Sequence, residues 1–155
     1  MQLENKYIVP IRFTVFLSLA GAIIGFGVYG CKKSEDYYDR GVARFEKGET
    51  DGAISDFTKA IKKRPGYGMA YYYRAMAYSR EKEYDQAIAD YTKAIEIDPQ
   101  RFAVAYAERA LIYYVKREYD KAWEDVHKAQ SLGGKCGHNF SSVFVKLQEE
   151  KSESG

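Results

Sequence analysis

The chain has 155 residues, 46% of them hydrophobic and 30% charged, a balance that excludes a wholly disordered polymer. Lys plus Arg number 24 against 22 Asp plus Glu, and a net charge of +2 lacks the basic excess of a phosphate-neutralising nucleic-acid binder. Two cysteines cannot build a disulfide scaffold, and the 15 tyrosines ask for an explanation from pattern rather than composition.

Residues 1–12 are mostly polar, with Lys6 and Arg12 against Glu4, and no charge falls between Phe13 and Gly30. A basic start, an apolar run and small residues at its end describe a signal peptide. The same run sits at the short limit for a spanning helix, which takes about 17–25 residues. Gly21 and Gly25 stand in a GxxxG spacing, which reads more simply as loosening of a signal segment than as a dimer face. Cys31, directly after Val28-Tyr29-Gly30, resembles the lipid-bearing cysteine of a bacterial lipobox. Residues 1–31 are therefore expected to be a signal peptide or membrane anchor, with Cys31 as the lipidation site. Lipidation implies a membrane-associated protein of the cell envelope, facing the periplasm or exterior. If the span is uncleaved, Lys32, Lys33, Arg40 and Arg44 behind it mildly favour a cytoplasmic domain instead.

From residue 34 a period takes over. Tyr37, Tyr71 and Tyr106 recur, as do Arg40, Arg74 and Arg109, each arginine followed by a small residue: Gly41, Ala75 or Ala110. Ala53, Ala87 and Ala122 follow, then Asp56, Asp90 and Asp125, then the pairs Lys59-Ala60, Lys93-Ala94 and Lys128-Ala129. Pro65 and Pro99 close two units, where a missing amide stops a helix, and Gly133-Gly134 closes the third. Apolar residues three and four apart within each unit predict amphipathic helices, with small residues where two helices approach closely. The aromatic excess fills the gaps between those approaches. Arg and Asp in matching registers predict repeated ion pairs between paired helices.

A helical hairpin of about 34 residues with this large-small-aromatic-small order resembles the tetratricopeptide repeat (TPR). Tyr71, Ala75, Tyr78, Ala87, Tyr91, Ala94 and Pro99 carry the resemblance in the middle unit; Arg44, Val126 and Gly134 depart from it in the outer ones. The resemblance implies an all-α solenoid of three repeats, 34–67, 68–101 and 103–136, behind an N-terminal hydrophobic helix. Phe140, Val143, Phe144 and Leu147 share one helix face, so 139–151 is expected as a capping helix and 152–155 as a frayed tail.

In TPR proteins the first helices line a concave groove that takes a peptide or helix of another protein. Carried over by register, that groove comprises Tyr38, Val42, Phe45 and Glu46 in the first repeat. The second supplies Met69, Tyr72, Met76, Ser79 and Arg80, and the third Val104, Ala107, Leu111, Tyr114 and Val115. Family members that clamp acidic chaperone tails use cations at slots held here by Tyr38, Val42, Tyr73, Val104 and Glu108, so that ligand is not expected. Cys136, His138 and His127 lack the spacing of a metal site, and no nucleophile–histidine arrangement or phosphate-binding glycine loop is present. The expectation is a non-enzymatic, membrane-anchored scaffold with a protein partner, and no cofactor, metal or nucleic acid. The alternatives are a cell-wall assembly module that touches glycan through exposed Tyr and Trp123 or, further off, a nucleic-acid-associated repeat protein.

Overall fold

The computed structural model describes residues 33–133 together with Val145. Cys31 and the rest of 1–31, the Cys136 and His138 region, the capping segment 139–151 apart from Val145, and the tail lie outside the described residues. The described elements are six helices: α1 (Ser34–Glu46), α2 (Thr50–Lys63), α3 (Gly68–Arg80), α4 (Tyr84–Ile97), α5 (Ala103–Val115) and α6 (Tyr119–Ser131). They pair as α1–α2, α3–α4 and α5–α6, and the pairs stack through α2–α3 and α4–α5.

Local sequence sets the helix ends. Asp51, Asp85 and Asp120 stand in the first turns of the second helices, where unpaired amides favour a negative charge. Arg64 (φ −139°, ψ 90°) and Asp98 (φ −157°, ψ 93°) are extended, as a residue before proline must be, and end α2 and α4. Within each pair the chain turns on one left-handed residue: Gly48, Lys82 or Arg117. The following amide then reaches back to the first helix, from Glu49 to the Arg44 carbonyl, Glu83 to Tyr78 and Glu118 to Tyr113, at 2.8–2.9 Å.

Alanine and glycine let the helices touch. Ala53, Ala75, Ala87, Ala94, Ala110 and Ala122 are fully buried, and Phe57, Tyr91 and Val126 fill the space beside them. Gly41 has no room for more: a Cβ there would lie 2.6 Å from the Phe57 ring. The turn into α5 runs from Asp98 to Phe102, one residue longer than Arg64–Tyr67 before α3. That turn carries the Phe102 ring to 4% exposure, over Gly68 and beside Tyr72.

Candidate functional site

The periodic arginines are committed to the scaffold. Arg74 donates to both Asp90 oxygens, at 2.6 and 2.8 Å, and Arg109 does the same to Asp125 at 2.7 Å. Asp56 is held by Arg40 and, in place of the aromatic usual at that position, by Arg44 at 2.7 Å. The Arg40 hydrogen bonds, with the charges of Arg44 and Lys59, hold the Asp56 carboxyl below its usual range. At Asp125, burial outweighs Arg109 and pushes the carboxyl up. A second link joins neighbouring repeats: Arg74 Nη1 also bonds Thr58 Oγ1 at 2.9 Å, and Arg109 Nη1 bonds Thr92 Oγ1 at 2.6 Å. Each of these threonines sits two residues after the preceding repeat's aspartate, a spacing visible in the chain but easily passed over. His127 holds the matching position on α6 and stacks on Trp123 at 5.3 Å.

The first-helix face is built differently. Its core is a chain of rings: Tyr38 meets Tyr67 at 5.1 Å and Tyr73 edge-on at 5.6 Å, Tyr73 meets Tyr72 at 5.7 Å, and Tyr72 lies 6.0 Å from Phe102. Burial pushes the Tyr38 hydroxyl up strongly and that of Tyr72 up to about 12, so both stay protonated donors. Phe45 is 7% exposed and contributes to the interior of the first repeat, with Arg80 stacked 3.9 Å over its ring and bonded to its carbonyl at 2.9 Å. Tyr72 likewise packs on Tyr91 at 5.8 Å, and Ala107 is 5% exposed. Phe45 and Ala107 are thus buried in the floor of the face, while Tyr72 is half-buried like the rest of the row.

The remaining positions stand higher. Val42, Met69, Met76, Val104, Leu111 and Tyr114 are half-buried, and Val115 is 56% exposed at the end of α5. Met76 packs against the clusters of the first and second repeats, while Leu111 and Tyr114 pack against that of the third. Arg80 and Glu46 flank the row, both exposed. Among the described residues no group of three or more His, Cys, Asp and Glu could hold a metal ion, and no helix is long and apolar enough to cross a membrane.

Comparison with known proteins agrees with this architecture. Tetratricopeptide repeat profiles match residues 37–67 and 69–101. A search of the curated proteins gives no match. The first TPR of Spaghetti (RPAP3), solved with the HSP90 peptide SRMEEVD, superposes at a TM-score of 0.71 with 22% identity, over 77% of this chain and 94% of that one. The TPR2B domain of yeast Sti1 in its pHsp70 complex gives 0.70 and 28%, over 76% and 97%. MamA gives 0.64 with 35% identity, over 66% of this chain and 60% of MamA.

Proposed function

Since the chain is a tetratricopeptide-repeat protein with an all-α repeat fold, we propose that it is a non-enzymatic adaptor that docks a segment of a partner protein on its first-helix face. The observation that carries this reading is the first-helix row Val42, Met76 and Leu111, all apolar and only half-buried, which ends at the exposed Val115. Solenoids bury only what adjacent repeats touch, so such a strip is free to bind. The peptide complexes of the Spaghetti and Sti1 domains support the same use of the fold. The ligand differs in kind from SRMEEVD, because Tyr38, Val42, Tyr73, Val104 and Glu108 provide no cation for an acidic tail. The uncharged run from Phe13 to Gly30, with Cys31 at its end, supports attachment to a membrane of the cell envelope.

The test is capture from solubilised membranes with the full chain and with Leu111→Ala combined with Val115→Ala. Loss of the captured partner, with helicity and melting temperature retained, is the expected result; truncating a central docking anchor costs about 2 kcal/mol or more of binding. A double variant that holds every partner places the binding surface elsewhere. Tyr72→Ala is a less clean test, because the half-buried Tyr72 ring packs on Tyr73, Tyr91 and Phe102 and its truncation also lowers stability.

A further inference from the structure

Glu108 lies on α5 in the register of Asp39 on α1 and Tyr73 on α3, among the first-helix positions that form the docking face. It is half-buried, and burial pushes its carboxyl above the ordinary glutamate range. After burial, its negative charge is the next cause that raises the hydroxyls of Tyr72 and Tyr91. The buried aspartates Asp56, Asp90 and Asp125 each hold an arginine, whereas no hydrogen bond or ion pair reaches Glu108 among the described residues. Among the described residues no fully enclosed side-chain oxygen lacks a partner, so the unpaired Glu108 carboxylate is not fully enclosed.

The rest of the face has the same sign. Glu35, Asp39 and Glu46 stand exposed on α1, Glu35 being shared with Arg64. The cation among these positions, Arg80, is drawn onto Phe45. We infer that the docked segment carries a lysine or arginine between apolar side chains, its cation seated at Glu108 and its apolar neighbours along Met76, Leu111 and Val115. This rests on the docking reading above and adds the chemistry of the ligand. A partly dried carboxylate without a counter-charge is unfavourable in the free protein, and an arriving cation relieves it. An acidic segment would set a second uncompensated negative charge beside the first.

The experiment uses synthetic peptides with a constant apolar frame and one central position set to Lys, Gln or Glu. Binding to the full chain in detergent micelles is read by fluorescence anisotropy. Lys is expected to bind about tenfold more tightly than Gln, and Gln more tightly than Glu. Glu108→Gln should erase the preference for Lys, keep the apolar binding and raise the melting temperature at neutral pH. A wild-type chain that binds Lys and Gln peptides alike, with both weakened by Leu111→Ala, leaves docking standing and overturns the basic-ligand inference. Absence of binding to every peptide overturns both. A Glu108→Gln protein that melts lower than wild type also overturns the inference, because Glu108 would then be serving the fold.

Discussion

Removing Arg74 while leaving Asp90 in place tests the scaffold at its centre. Asp90 is 5% exposed, and both of its oxygens are bonded to the Arg74 guanidinium. Arg74→Leu leaves a carboxylate without its counter-charge inside the middle helix pair, which costs about 3–5 kcal/mol. The lost bond to Thr58 adds about 1 kcal/mol and loosens the link to the first repeat. For a stack whose total stability is about 5–15 kcal/mol, that is a large share. Thermal unfolding followed by circular dichroism should show a midpoint lower by about 15 °C or more, at about 4–8 °C per kcal/mol. Arg74→Met combined with Asp90→Leu should recover most of the loss, because an apolar pair of similar volume needs no counter-charge. A single variant that loses less than about 1 kcal/mol, or a double variant as unstable as the single, would refute the claim that a stranded charge is the cause.

Gly41→Ala should destabilise despite the better helix propensity of alanine. The gain is about 1 kcal/mol, against about 1–3 kcal/mol for pressing a Cβ into the Phe57 ring, and denaturant unfolding measures the difference. Asp56 and Glu108 should pull the pH dependence of stability in opposite directions. The depressed Asp56 carboxyl stabilises the fold above the usual aspartate range, and that contribution is lost as pH falls through its lowered value. The raised Glu108 carboxyl favours the fold at low pH, and its contribution disappears as pH rises through its elevated value; comparing melting curves of wild type and Glu108→Gln across acid pH isolates it. Cys31→Ala should abolish labelling by a fatty-acid analogue, and an unlabelled full-length protein in membranes would identify an uncleaved anchor instead.

Much of the fold can be read from spacing because the repeat writes each contact three times. Arginine and aspartate in matching registers announce their own pairs, and small residues in matching registers announce the close approaches between helices. What depends on one repeat alone is harder to read. Gly48 signals a left-handed turn, but Lys82 and Arg117 adopt the same conformation with no residue preference to reveal it. Tyr72 meets Phe102 and Tyr38 meets Tyr67, ring contacts supplied by the turns before α5 and α3 that helix periodicity does not announce. Glu108 is visible in the sequence as a slot without a cation. Its burial is a product of the folded stack, and no linear pattern records that.

The threonine links give the stack a direction with consequences for its length. Arg74 and Arg109 each grip the repeat before them, and Thr58 and Thr92 are what they grip. The middle repeat is the one of the three that both grips and is gripped. A tandem copy of 68–102 inserted between Thr92 and Arg109 would find a hydroxyl on the unit before it and leave another for the unit after. A copy of the third repeat would present the imidazole of His127 to the incoming guanidinium, where no hydroxyl awaits. Gene duplication or design could therefore lengthen this solenoid from its centre without altering a single coupling, whereas growth from the last repeat would first require His127 to become threonine.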